Sequence, residues 1–311
     1  MAWNGMLSGQ MPNKTEFDHF IEIDDVNLHY RHYPAKKKKS PHIVLLHGFA
    51  SSTYTWEKID RRLNDEGFHI WALDMKGFGW SDKPRDSSYD AISLAEQVNR
   101  WMEALDIEQA IFVGNSYGGG VAAMLAFSYP KRISKVIAID PATGQRMKLP
   151  FILRLLRFPF ARDIGKLIYA KWMIRLVFRE VYYHREWITE EQIEEYYQRI
   201  NTANAIEAQV SLAKQINFDL YKAYTTRLHE LTQPALLVWG ANDKWIPTQL
   251  GIDLCATLPR ARMVIIPECG HVPQEEKPDL TFRLIMDFIR GKDPLKIYDG
   301  AIAGNVITLN P

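Results

Sequence analysis

Short apolar runs separated by stretches of helical spacing set the pattern of this chain. Ile21-Glu22-Ile23 and Asn27-Leu28-His29-Tyr30 alternate on either side of Asp24-Asp25, which predicts a hairpin. Four later segments lack that alternation: Ile43-Val44-Leu45-Leu46, His69-Ile70-Trp71-Ala72-Leu73, Ala110-Ile111-Phe112-Val113 and Lys135-Val136-Ile137-Ala138-Ile139. Continuous apolarity over so few residues predicts strands buried on both faces. Between them, a helix is expected near Trp56 to Leu63. Ile92, Leu94, Ala95, Val98, Trp101, Met102 and Leu105 recur at helical spacing. Strands alternating with helices predict an α/β fold with a mostly parallel, doubly wound sheet.

The alternation breaks at about Gln145 and resumes near Leu228. Residues 145–228 read as helix with no convincing strand. Pro234-Ala235-Leu236-Leu237-Val238-Trp239-Gly240 and Met263-Val264-Ile265-Ile266 then restore strand character, and Leu280 to Ile289 predicts a last amphipathic helix. The implied division is a core of 20–144 and 229–290, an inserted helical cap of 145–228, and terminal extensions at 1–19 and 291–311. The last of these shows no clear pattern. A helical block inserted late in a parallel sheet is expected over the strand C-terminal ends, where such sheets bind ligands.

One turn carries chemistry. Gly114-Asn115-Ser116-Tyr117-Gly118 lies between the run ending at Val113 and a helical run from Gly119 to Phe127. A serine held on a sharp strand-to-helix turn has its Oγ exposed above the sheet, and glycine is required where flanking side chains would crowd the turn. Ser116 is therefore the candidate nucleophile, and it needs a base oriented by a carboxylate. His271 follows the Met263–Ile266 run in Pro267-Glu268-Cys269-Gly270-His271 and is the candidate base. Asp243 follows the preceding strand in Trp239-Gly240-Ala241-Asn242-Asp243 and is the candidate acid. Asp140, also placed directly after a strand, competes with it. Chain order favours Asp243, and a turn or helix cap is the ordinary role for an Asp-Pro pair. The backbone N–H groups of Phe49 and Tyr117 are the candidate oxyanion donors. His47 is expected to shape their loop rather than to move protons.

His47-Gly48, Asp74-Met75-Lys76-Gly77-Phe78-Gly79-Trp80-Ser81, Gly114 to Gly119, Trp239 to Asp243 and Gly270-His271 together resemble the α/β-hydrolase fold superfamily, serine hydrolase branch. The resemblance covers roughly residues 20–290 on these ordered motifs. It implies an acyl-enzyme mechanism with no metal or organic cofactor, and a structured loop without chemistry at Asp74–Ser81. With serine at 116, it does not extend to the epoxide hydrolases and haloalkane dehalogenases, which use aspartate there. Asn115 before the serine resembles the carbon–carbon bond hydrolases of aromatic degradation. The loop Gly48-Phe49-Ala50-Ser51-Ser52 and Val272 after His271 depart from that group. An ester of a small-to-medium hydrophobic substrate therefore ranks first, carbon–carbon cleavage second. A ligand-binding receptor with slow turnover is the reading from another class.

Composition narrows the partners. A net charge of +1 over 311 residues argues against a nucleic-acid binder built on phosphate contacts. Cys255 and Cys269 are too few for a disulfide framework and read as structural. The N-terminal residues lack a secretory pattern and no apolar run reaches spanning length, so a cytoplasmic protein is expected. Residues 146–185 hold ten Lys or Arg and eight Phe, Tyr or Trp, against Asp163 and Glu180 as acids. One reading is a basic cap that rests peripherally on anionic lipid. The plainer one is a cap helix that packs its apolar side inward and solvates its basic side. Both imply a hydrophobic substrate. Thr189 and Gln192 mark a capping box and a helix start. Nothing in the sequence fixes the oligomeric state.

Overall fold

The computed structural model describes residues 11–143, 154, 156–158, 171–215, 224 and 226–311. Ten strands form one sheet in the order β1-β2-β4-β3-β5-β6-β7-β8-β10-β9. They are β1 Asp18–Ile23, β2 Val26–Tyr33, β3 His42–Leu46, β4 His69–Leu73, β5 Ala110–Asn115, β6 Ile133–Ile139, β7 Ala235–Gly240, β8 Ala261–Ile266, β9 Gly300–Ala303 and β10 Val306–Leu309. From β4 through β10 every neighbour is parallel; β1, β2 and β9 pair antiparallel at the two edges. Asp24 and Asp25 both take positive φ, at 50° and 59°. That geometry gives the hairpin a turn whose twist matches its strands.

Both faces of the sheet are covered, as the unbroken apolar runs require. Val44 and Leu46 point to one side with Phe112, Leu237 and Met263, under the helices Ala91–Ala104 (α2) and Tyr117–Ser128 (α3). Ile43 and Leu45 point to the other with Val113, Ile137, Val238 and Val264. That side is closed by Asp60–Asp65 (α1) and by Pro278–Ile289. Asp90 caps α2 by accepting from the Ile92 and Ser93 N–H groups.

The helix expected near 56–63 divides into a 3₁₀ turn at Thr53–Trp56 and α1. Ser52 caps the former through its side chain. The C-terminal extension is a correction of larger scale. Residues 300–309 form β9 and β10, and Val306–Thr308 lie in parallel register with Met263–Ile265. The sheet therefore does not end at β8. Ile307 is wholly buried on one face and Val306 packs on the other.

The described part of the inserted region carries α4 (Lys171–Val181), α5 (Glu190–Ile200) and α6 (Ala205–Gln215). Thr189 and Gln192 exchange both bonds of a capping box at the start of α5. Half of the basic Phe151–Phe158 stretch, residues 151–153 and 155, lies outside the described residues. Among those residues, no helix is long and apolar enough to cross a membrane.

Candidate active site

Ser116 sits between β5 and α3 with φ 51° and ψ −115°, a conformation that costs a non-glycine residue of order 1–3 kcal/mol. Its backbone is held from three directions. The N–H donates to the Ile139 carbonyl at 2.8 Å, and the carbonyl accepts from Ala142 at 2.9 Å and Gly120 at 3.1 Å. The flanking glycines are sterically required. A Cβ at Gly114 would lie 2.5 Å from the Gly118 carbonyl oxygen, and one at Gly118 would lie 2.2 Å from that of Leu46.

The loop after β3 comes against this turn. A Cβ at Gly48 would stand 3.2 Å from the Ser116 Cβ. The Phe49 N–H finds no acceptor among the described residues. His47 fixes the loop. Its Nε2 accepts from the Met75 N–H at 3.1 Å, so Nδ1 carries the proton and donates to the Gly48 carbonyl at 2.7 Å. Complete burial lowers the His47 pKa, which matches a neutral, structural ring.

His271 Nδ1 and Asp243 Oδ2 are 2.6 Å apart, both side chains buried. Asp243 Oδ1 accepts from the N–H groups of Trp245 and Ile246, at 2.7 and 3.1 Å, which locks the carboxylate to its own loop. Nδ1 thus donates, and Nε2 is left as the basic nitrogen; it is buried with no hydrogen-bond partner. Ser116 Oγ and Nε2 are therefore not bonded to each other in this resting arrangement, a looseness familiar in sites without substrate.

Asp140, the competing acid, does not reach the imidazole as a hydrogen-bond partner. Its Oδ1 accepts from the Gly240 N–H at 3.1 Å, and Oδ2 is buried without a partner. Burial, and then the Asp243 charge beside it, push its pKa well above the usual carboxylate range. Ligand atoms of Asp140, Asp243 and His271 lie within 4.8 Å of one another. Because His271 Nδ1 is committed to Asp243, and Asp243 Oδ1 to the Trp245 and Ile246 N–H groups, this donor set does not fit a metal ion.

Two contributions escaped the sequence. Asn115 donates through Nδ2 to the carbonyls of Ile139 and His271, at 3.2 and 3.1 Å. It ties the residue before Ser116 to the His271 backbone. The second is the docking of α4. The His271 N–H donates to the Val181 carbonyl at 2.7 Å. Glu276 accepts from the N–H groups of Gly270 and His184, at 2.7 and 2.6 Å. Glu275, wholly within the protein, accepts hydroxyls from Thr55, Tyr196 and Tyr182 at 2.5, 2.5 and 2.8 Å. Both cysteines are free and buried; burial raises the Cys269 thiol pKa, which keeps it inert.

The family model described as alpha/beta hydrolase fold matches residues 41–278. The uncharacterized hydrolase YugF of Bacillus subtilis is 30% identical, over 86% of this chain and 96% of its own. Epoxide hydrolase 4 of Mus musculus is 24% identical over 87% of this chain and 79% of its own. A 2-hydroxy-6-oxononadienedioate/2-hydroxy-6-oxononatrienedioate hydrolase of Paraburkholderia phymatum is 27% identical, over 85% and 91% respectively.

Proposed function

The chain is a hydrolase of the α/β-hydrolase fold family, and we propose that it cleaves an ester, or related acyl bond, of a small-to-medium hydrophobic substrate. The carrying observation is a strained Ser116 on the same rim as a His271–Asp243 pair whose basic nitrogen is unpartnered. Ser116 Oγ attacks the carbonyl carbon as His271 Nε2 takes its proton. Asp243 holds the Nδ1–H and stabilises the imidazolium. The Phe49 and Tyr117 N–H groups receive the oxyanion. His271 then protonates the departing alcohol, and water, activated by the same nitrogen, releases the acid.

The aspartyl-ester route of the epoxide hydrolases is closed to a serine at position 116. Carbon–carbon cleavage is the second reading. The Paraburkholderia relative and Asn115 support it, while the Gly48–Ser52 loop and Val272 stand against it.

Turnover on p-nitrophenyl esters of increasing acyl length, beside Ser116→Ala, tests the proposal. Many turnovers that vanish in the variant are expected. No turnover in either protein would overturn the ester reading.

A further inference from the structure

We propose that the outward face of α4, with the turn that follows it, docks onto an anionic lipid bilayer. The helix buries Ile174, Phe178 and Val181 in a cluster with Tyr54, Tyr196 and Val272. At about 100° per residue, Trp172 and Leu176 fall one turn apart on the opposite side. They are 52% and 51% exposed. Tyr183 and Trp187, in the turn that follows, are 42% exposed each, the Trp187 ring stacking on His184 and meeting the Lys277 ammonium. Phe158, also in the cap, is exposed too. Among the described residues these are five of the seven exposed large hydrophobic side chains, so the apolar exposure is concentrated on one part of the molecule. Among the described residues, Trp172 and Leu176 join none of the hydrophobic clusters, which leaves an apolar strip opposite the packed one.

Charge selects the occupant. Residues 171–187 carry Lys171, Arg175, Arg179 and Arg185 against Glu180 and Glu186. Lys171 and Arg175 pair with Glu194 and Glu190 of α5. Arg179 and Arg185 have no ion-pair partner among the described residues. The acids are engaged elsewhere. Glu180 accepts from the Trp245 indole N–H at 3.1 Å, toward the His271 side, and Glu186 meets His184 at 3.1 Å. What faces outward is indole, phenol and leucine beside the Arg179 and Arg185 guanidinium groups, unpaired among the described residues, with Glu180 and Glu186 each held by a neighbour. Such rings sit at the headgroup level of a bilayer, and arginines there are attracted by anionic lipid. A second copy fits less well, because a two-fold contact through this face would set like arginines against each other. The inference does not rest on the ester reading. It does place a lipid surface one helix diameter, about 10–12 Å, from the His271 loop that α4 touches with its inner side.

The test is co-sedimentation of the full chain with vesicles of phosphatidylglycerol and phosphatidylcholine in equal parts, and with phosphatidylcholine alone. Binding to the mixed vesicles is expected, falling with added salt. Trp172→Ala with Leu176→Ala should weaken it about tenfold or more. Arg179→Glu with Arg185→Glu should weaken it by a similar factor. The thermal midpoint should hold in both pairs, since neither touches the buried stripe. No partition to anionic vesicles, or equal partition of wild type and both variants, would overturn the proposal. So would a dimer in solution that becomes a monomer in the Trp172→Ala/Leu176→Ala protein, which would assign the face to a second copy.

Discussion

The Val181 carbonyl, at the last turn of α4, accepts a hydrogen bond from the His271 N–H at 2.7 Å. A helix of the inserted region thus holds the loop of the candidate base directly. Gly270 makes the approach possible, since a Cβ there would stand 2.1 Å from the same carbonyl oxygen. Gly270→Ala must push α4 and the His271 loop apart. A displacement of that kind at a reacting group costs on the order of 10²-fold in kcat/KM. Kinetics on the best ester, with circular dichroism to confirm folding, checks this. Wild-type turnover in the Gly270→Ala protein would mean that the contact does not position His271.

Asp243 and Asp140 should respond oppositely to amidation. Asp243→Asn removes the charge opposite Nδ1 and lets the ring take the wrong tautomer, a loss of about 10⁴-fold in kcat by analogy with serine triads. Asp140→Asn replaces a carboxyl that makes no hydrogen bond to the imidazole, so activity should fall less than about tenfold, under ~1.4 kcal/mol. Stability supplies an independent readout. A carboxyl whose folded pKa lies above the ordinary 3.8 loses stability for the fold as pH rises from that value to the raised one. Asp140→Asn should therefore raise the thermal midpoint at neutral pH, with the gain shrinking toward pH 3.8. A collapse of turnover in Asp140→Asn alone would reassign the acid.

His29 is wholly buried between two carboxylates, with Nδ1 2.7 Å from Asp74 Oδ2 and Nε2 3.1 Å from Asp18 Oδ1. Burial opposes every charge in this set, yet the mutual attraction and hydrogen bonds prevail. His29 is raised from its ordinary value, and Asp18 and Asp74 are held far below theirs. Asp74 also accepts from the Thr53 and Trp80 N–H groups, at 2.6 and 2.8 Å, anchoring two loops near the site. His29→Ala leaves two buried carboxylates without their cation and should cost about 3–5 kcal/mol. The signs give a window. The carboxylates' contribution is present above their ordinary range and is lost as pH falls through their depressed values. The His29 contribution is present below its ordinary value and is lost as pH rises through its raised one. Denaturant melts across pH test this. A His29→Ala cost that stayed below about 1 kcal/mol, the scale of exposed pairs, would contradict a buried ionic set.

What the sequence revealed was local. The turn around Ser116 declares itself because its glycines, its strand and its helix are contiguous. The alternation at Ile21–Tyr30 and the capping box at Thr189 are legible for the same reason. The Asp18–His29–Asp74 set was not, because its members are scattered in sequence and only the fold assembles them. Asn115 looked like a motif letter, since its acceptors, Ile139 and His271, belong to other strand ends. β10 was hidden by length, four residues whose strand character depends on the open edge of β8.

Glu275 shows what such a long-range cluster does for the helices of the inserted region. Burial raises its pKa, while the hydroxyls of Thr55, Tyr196 and Tyr182 act the other way by favouring the carboxylate. Tyr196 comes from α5, Tyr182 from the end of α4, and Thr55 from the 3₁₀ turn after β3. Tyr196 also meets the Ser51 hydroxyl at 3.1 Å, and Gln192 Nε2 donates to the Tyr182 hydroxyl at 3.0 Å. The cluster therefore pins α5 and the end of α4 over the loop that carries Phe49. Tyr196→Phe deletes one hydroxyl bond to the acid, a loss of about 1.5–3 kcal/mol for a charged acceptor. That loss should fall on cap docking rather than on the sheet. Hydrogen exchange should accelerate in α4, α5 and the His271 loop, with β5 and β6 unchanged. Because Glu275 is raised, ionising it weakens the docking, so the protection of α4 and α5 in the wild type should decline as pH rises through the raised value. Uniform acceleration across sheet and cap in Tyr196→Phe would show that Glu275 supports the whole fold and does not hold the cap as a unit.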